Sequence, residues 1–241
     1  MNEIFRCERC NSESATWRVA CERCGGQYVA VEQPSEISHS SDGSARATPV
    51  LRTLAEYEAA EVDRVSSGLA AFDAVTGGGL VLGAAYVLAG APGAGKSTLA
   101  LQIACFVSDY DTCFYVSGEE PIDRLASRAI RLNLDASRVV GVPTVEIAQL
   151  CRTVKQHAPR LVIVDSLNSI YSNKLRSRPG SPSQIIGAVR ALVKLAQDTQ
   201  AIVLGLAHVT KSNQLSGPRT VEHEADVMIT FQPSGTRRVL E

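Results

Sequence analysis

The sequence predicts an α/β fold built on a mostly parallel central sheet, with a small cysteine-rich module ahead of it. Three observations predict it. Short apolar runs alternate with helix-length runs from about residue 61 onward. One run passes through the glycine-rich stretch GAPGAGKST into a helix-like stretch. The tetrapeptide CERC occurs twice near the N-terminus. Continuous apolar strands separated by helices imply a sheet covered on both faces.

In chain order, residues 1–32 come first, with Cys7-Glu8-Arg9-Cys10 and Cys21-Glu22-Arg23-Cys24. Two residues between cysteines let both thiolates of a knuckle face one ion, and two knuckles complete a tetrahedral S4 site. All-thiolate coordination suits zinc and leaves no position for a reactive water, so the expected role is structural. So small a module has little to bury, and metal binding would supply its folding energy. A redox pair or an iron–sulfur cluster are the weaker alternatives.

Residues 33–60 read as a linker, because QPSEISHSSDGSARATP offers almost nothing to bury. The α/β domain is expected over residues 61–241. Its strands are expected at 84–89, 112–116, 138–142, 161–165, 201–207 and 227–231, and its helices at 96–108, 121–133, 144–157 and 183–199.

Gly90-Ala91-Pro92-Gly93-Ala94-Gly95-Lys96-Ser97-Thr98 satisfies G-x4-G-K-[ST] in the strand-to-helix setting that the motif requires. Its glycines let backbone N–H groups curl around phosphates, and the helix N-terminus adds its dipole. Lys96 can reach the β- and γ-phosphates of ATP, and the Ser97 hydroxyl can ligate Mg2+. Asp165 ends the run LVIVD and suits the same metal, although a strand-ending Asp can also cap the next helix. Glu119 and Glu120 follow another strand, so one of them, Glu119 first, is expected to orient the attacking water. Both would also be favourable simply as first-turn acids of a helix.

Bulk composition limits the alternatives. With 241 residues, 45% of them hydrophobic, and a net charge of −1, no global basic field draws the chain onto nucleic acid, so polyanion binding must be local. Lys174, Arg176 and Arg178 in SNKLRSRPGSP, and Lys211 and Arg219 in HVTKSNQLSGPR, supply that local charge, unless they are merely solvated. The N-terminus lacks signal-peptide character, and the most apolar stretch is broken by glycines. A soluble cytoplasmic protein with no membrane partner is expected. Cys105, Cys113 and Cys151 lie in apolar segments and read as buried small hydrophobes.

The order of motifs (four-cysteine ribbon, P-loop, SGEE, LVIVDSLNSIYS, RPGSPSQ, HVTK, GPR, EH) resembles the RadA (Sms) family, RecA-like ATPases of bacterial recombinational repair. The resemblance covers nearly the whole chain. It implies a RecA-type core assembled as a homo-oligomeric ring, with ATP between neighbouring subunits. It also implies a DNA-dependent, helicase-like ATPase that binds single-stranded or branched DNA and promotes branch migration, working beside recombinase or replication proteins. By motif match, Lys96 and Ser97 would bind nucleotide and magnesium, Asp165 would help hold the metal, and Glu119 would activate water. His208, Thr210 and Lys211 are expected to sense the γ-phosphate, and the loops at 178–184 and 211–219 to approach DNA or the neighbouring nucleotide. The chain ends at SGTRRVLE, ahead of the KNRFG motif and Lon-like domain with which the family continues. A nucleotide-binding regulator without autonomous motor activity is therefore the alternative reading. The ribbon and the HVTK and GPR segments count against a KaiC-like signalling ATPase.

Overall fold

The computed structural model describes residues 4–10, 12–14, 21, 23–31, 53, 63–109, 111–208, 223–234 and 237–241. The chain divides into two compact units, residues 1–58 and 59–241. The linker expected over 33–60 lies, apart from Thr53, outside the described residues.

The first unit holds a three-stranded antiparallel sheet in the order β2-β1-β3, formed by β1 (Ile4–Cys7), β2 (Glu13–Ser14) and β3 (Tyr28–Val31). Cys7 closes β1, and its amide donates to Ser12 O at 2.9 Å. The Cys21 amide donates to Gly26 O at 2.8 Å, which turns the second knuckle.

The second unit opens with β4 (Arg64–Val65), α1 (Ala70–Val75) and β5 (Leu80–Val81), where β4 and β5 form an antiparallel pair. These elements are too short to carry a readable period, and the sequence gives no sign of them. Asp73 fixes the turn into α1 by accepting from Ser66 Oγ at 2.6 Å, Ser67 Oγ at 2.6 Å and Ser67 N at 2.8 Å.

The main elements follow as β6 (Ala85–Gly90), α2 (Lys96–Ser108), β7 (Cys113–Ser117), α3 (Ile122–Arg131), β8 (Val139–Val142), α4 (Ile147–His157), β9 (Leu161–Asp165), α5 (Pro182–Thr199), β10 (Ile202–His208), β11 (Val227–Ser234) and β12 (Arg237–Leu240). The sheet order is β12-β11-β6-β10-β9-β7-β8, and every neighbouring pair is parallel except β11–β12. This is the α/β architecture that the sequence predicts, with β12 added. Alternate residues of each central strand enter two cores. Val87, Phe114, Val162 and Val203 meet α4 and α5 on one face. Tyr86, Leu88, Ile163 and Leu204 meet α2 and α3 on the other. Both faces are therefore dry, which explains why these strands read as unbroken apolar runs. No described helix is long and apolar enough to cross a membrane.

Register brings the chemistry to one edge. Gly90 pairs with His208, Leu206 with Asp165, and Ser117 with Asp165. The carboxyl ends of β6, β7, β9 and β10 are thus level, at the edge where open α/β sheets bind ligands. β10 runs one residue past its expected end, so His208 belongs to the strand rather than to the loop. Thr210, Lys211, Arg219 and Glu222 lie outside the described residues.

Candidate functional site

The P-loop leaves β6 at Gly90, and no other residue fits there. A Cβ on Gly90 would stand 2.4 Å from the Phe231 carbonyl oxygen of β11. The loop ends at Gly95, the N-cap of α2, with φ 102° and no side chain to close the helix end. The first turn of α2 also carries no acid. Its N–H groups and the positive end of its dipole are therefore free for an anion, and phosphate fits.

Lys96 is only 5% exposed. Its ammonium donates to Gly90 O at 2.7 Å and Ala91 O at 3.0 Å, and lies 3.4 Å from His208 Nδ1. Burial pushes its pKa down, partly opposed by the negative charges of Asp165 and Glu119. Among the described residues no carboxylate is hydrogen-bonded to this desolvated cation, which rests on carbonyls and a ring nitrogen. Phosphate oxygens would satisfy it better.

Asp165 is buried at the end of β9, and Tyr115 donates its hydroxyl to Oδ2 at 2.8 Å. The same hydroxyl lies 3.4 Å from Ser97 O, so Tyr115 joins Asp165 to the first turn of α2. Burial, followed by the Asp165 charge and hydrogen bond, keeps the Tyr115 phenol far above its usual range. Tyr115 therefore acts as a donor only. Ser97 and Asp165, an oxygen pair on adjoining elements, have the hard-ligand chemistry that magnesium takes.

The two acids after β7 separate. Glu119 Oε1 accepts from Ser166 Oγ and from His208 Nε2, the latter at 2.7 Å. Burial would raise its carboxyl, but these two donors and the Lys96 charge outweigh it and hold the carboxyl below its ordinary value. Glu120 turns to α3, where Arg128 Nη2 donates to Oε2 at 2.8 Å and Nη1 lies 2.7 Å from Oε1. Glu119 is thus the acid beside Lys96, and Glu120 anchors the helix. The turn that presents them is tight, since a Cβ on Gly118 would meet Ser169 Oγ at 2.0 Å.

Lys174, Arg176 and Arg178 all lie in an exposed loop; the Lys174 amide donates to Ser172 Oγ at 3.3 Å, while the three cationic side chains themselves make no hydrogen bond or ion pair among the described residues. Buried Gln184 holds this loop. Its Oε1 accepts from Ser172 N at 2.8 Å, and its Nε2 donates to Ser172 O at 3.2 Å and Ser177 O at 2.8 Å. Of the acids before β11, Glu224 is gripped by both Arg190 nitrogens at 2.9 and 2.7 Å. Asp226 accepts from Ala85 N at 2.8 Å. Both have structural partners.

In the first unit the Sγ atoms of Cys7, Cys10, Cys21 and Cys24 all lie within 4.8 Å of one another. Two of the separations are 3.5 Å (Cys7–Cys24) and 3.6 Å (Cys10–Cys21). A tetrahedron with Zn–S near 2.3 Å has edges of about 3.8 Å, so the four thiols fit zinc. Ser12 Oγ sits 3.2 Å from Cys10 Sγ and 3.1 Å from Cys21 Sγ, within reach of both, so its single proton can serve one or the other thiolate. Burial pushes the other thiols up, Cys105 to about 11 and Cys113 to about 12, with Cys151 also raised, so none is a reactive thiolate at neutral pH.

Tyr115, Ser12 and Gln184 are not legible in sequence. Tyr115 reads as core within CFYVS, Ser12 belongs to no motif, and Gln184, although the last residue of RPGSPSQ, reads there as part of a loop facing DNA rather than as its buried anchor.

The parallel sheet, the P-loop and the acids facing its lysine define a P-loop ATPase domain of RecA-like type. The chain belongs to the AAA-domain family, whose model matches residues 51–214. It is RadA-like. It is 33% identical to the DNA repair protein RadA of Pseudomonas aeruginosa over 98% of this chain and 53% of that protein. It is 31% identical to the DNA repair protein RadA of Escherichia coli over 97% of this chain and 53% of that one. The chain thus spans about half the length of these curated relatives. A KaiC-like protein from Pyrococcus horikoshii shares the fold, with TM-score 0.59 at 20% identity over 74% of this chain and 87% of that one.

Proposed function

We propose that this chain hydrolyses ATP in recombinational DNA repair, coupling turnover to single-stranded or branched DNA held by the loop at residues 172–181. The observation that carries the reading is the convergence of Lys96, Glu119 and His208, with Glu119 Oε1 2.7 Å from His208 Nε2 and Lys96 Nζ 3.4 Å from His208 Nδ1. An incoming γ-phosphate draws Lys96 from the Gly90 and Ala91 carbonyls. The His208 ring loses that neighbour and is free to reorient, which opens Glu119 to a water. Glu119, already a carboxylate, then orients the water and takes up its proton. Magnesium held by Ser97 and Asp165 would neutralise the charge developing on the phosphates.

His208 is followed directly in the sequence by the segment carrying Lys211 and Arg219, which puts a basic stretch of chain next to the residue that would respond to nucleotide. The exposed Lys174, Arg176 and Arg178 give a second set of cations for a phosphate backbone. A ring of subunits would bring these loops together, and the relatives named for DNA repair support the biological setting. The cysteine ribbon is read as a structural zinc module, free to meet DNA or a recombination partner.

The test is ATP hydrolysis by the chain with and without single-stranded DNA, with Lys96→Ala as blank. Stimulation that disappears in the blank and weakens with salt supports the motor. ATP binding with slow turnover indifferent to DNA overturns it in favour of the nucleotide-binding regulator.

A further inference from the structure

Sheet order gives the P-loop two unlike flanks. β10 and β9 lie on one side of β6 and carry His208 and Asp165, while β11 and then β12 lie on the other. A nucleotide is an extended ligand. If its terminal phosphate points toward Glu119, His208 and Asp165, its nucleoside leaves the cradle in the opposite direction, toward β11 and β12.

That flank is built to receive something. A groove of about 260 Å³ lies between the P-loop tip at 91–94 and Pro233, Arg237 and Arg238. Arg238 fixes its wall, because Nε donates to Ala94 O at 2.7 Å. A Cβ on Gly95 would lie only 3.4 Å from the same nitrogen, so the guanidinium is seated directly against the loop. Arg237, opposite Ser234 in the hairpin register, also lines the groove. Its guanidinium is exposed, and no hydrogen bond or ion pair engages it among the described residues. A flat, permanently charged fork beside an apolar proline ring suits the face of an aromatic base, through stacking and cation–π attraction.

We propose that the β11–β12 hairpin forms the nucleoside subsite of the ATP site, with Arg237 stacking on the base and Arg238 holding the groove to the P-loop. The assignment rests on the nucleotide reading above and deepens it. It also makes the specificity for a nucleotide, as opposed to a bare polyphosphate, a property of β12.

Binding of ATP and of inorganic tripolyphosphate, each with magnesium, is measured by calorimetry on the unsubstituted chain and on Arg237→Ala, Arg237→Lys and Lys96→Ala. Arg237→Ala is expected to weaken ATP about tenfold and leave tripolyphosphate unchanged. Arg237→Lys keeps the charge without the plane and is expected to weaken ATP as well. Unchanged ATP affinity in Arg237→Ala, or equal losses for both ligands, overturns the subsite, the second result assigning Arg237 to phosphate. If the unsubstituted chain binds neither ligand better than Lys96→Ala does, the nucleotide reading falls first and the subsite with it. Far-UV circular dichroism of each variant confirms that a loss reflects the site rather than the fold.

Discussion

Glu119 receives the Nε2–H of His208 at 2.7 Å, and this single bond fixes which nitrogen of the ring faces Lys96. With the Nε2 proton pointed at a carboxylate, Nδ1 is left as the acceptor for the Lys96 ammonium at 3.4 Å. One imidazole therefore spans the groups expected to bind the terminal phosphate and to activate water. The ring is the last residue of a buried strand, paired with Gly90 at the mouth of the P-loop. Its backbone is held by the pairing with β6 and by Asn168, whose Oδ1 accepts from His208 N at 3.4 Å, so a response to nucleotide is carried by the ring.

Replacing His208 tests this bridge. His208→Ala removes a donor that helps hold Glu119 below its ordinary 4.5. The Glu119 pKa should therefore rise. A general base must be deprotonated, so activity falls as pH drops through its folded pKa, and the acid limb of kcat/KM should move to higher pH. Glu119→Gln should lower kcat by about 10²–10⁴-fold while ATP still binds. A pH–rate series with single-turnover measurements reads both effects. An unmoved acid limb in His208→Ala would detach the histidine from the base.

Tyr115 supports Asp165 from the core. Tyr115→Phe removes a buried hydroxyl that donates to Oδ2 at 2.8 Å and leaves a buried carboxylate oxygen without that partner. The expected cost is about 1–3 kcal/mol of unfolding free energy, measured in urea. The magnesium concentration for half-maximal turnover should rise too, since the carboxylate loses its fixed orientation. A stability loss with no change in magnesium requirement would limit Tyr115 to packing.

Asp73 gives a prediction about pH that is independent of nucleotide. Burial would raise its carboxyl, but the hydroxyls of Ser66 and Ser67 and the Ser67 amide bring it below the ordinary 3.8. A lowered folded pKa means that the unfolded chain binds the proton more readily. The stabilisation is therefore complete above the unfolded value and is lost as pH falls through the folded one. Asp73→Asn should cost about 1–3 kcal/mol at pH 7, and the difference from the unsubstituted chain should shrink below pH about 3.8. Urea unfolding at both pH values checks the sign.

For the zinc module, Cys7→Ser should abolish the metal and unfold the first unit. Ser12→Ala should keep one zinc per chain but weaken it about 10–100-fold, because it removes a hydroxyl within reach of two thiolates at 3.2 and 3.1 Å. Competition with a chromophoric chelator reads the affinity, and equal affinities would reduce Ser12 to a bystander.

What could be read in advance follows from where the signals lie in the chain. LVIVD and AIVLGLA announce buried strands because both of their faces are dry, and GAPGAGKST announces a phosphate cradle because loop chemistry depends on local glycines. Asp165 ends an apolar run, and Glu119 and His208 follow one closely, so their shared edge could be anticipated from the α/β pattern. Their partners could not be. Tyr115 meets Asp165 across 50 residues, and Arg238 meets Ala94 across 144, contacts that strand order alone creates. β12 is illegible in the sequence for the same reason. TRRVLE is charged at both ends, and its strand character comes from pairing with β11, from Phe231 opposite Leu240 to Ser234 opposite Arg237.

Gln184 permits the sharpest separation of shape from charge in the basic loop. It is 2% exposed, and its amide ties Ser172, Leu175 and Ser177 to the start of α5. Replacing Lys174, Arg176 and Arg178 together by Ala should lower affinity for single-stranded DNA. It should also reduce the slope of log K against log salt by up to about 2, at about 0.7 per lost phosphate contact. Gln184→Leu removes no charge, so direct electrostatics predicts no effect from it. If the loop must be held in shape to present its cations, Gln184→Leu should weaken DNA binding as well, while hydrogen exchange at the Ser172 amide rises. Anisotropy titrations across a salt series, with exchange measured on the same samples, decide the matter. Faster exchange at Ser172 with unchanged DNA affinity would show that the loop binds as a flexible polycation, with no need of the fold beneath it.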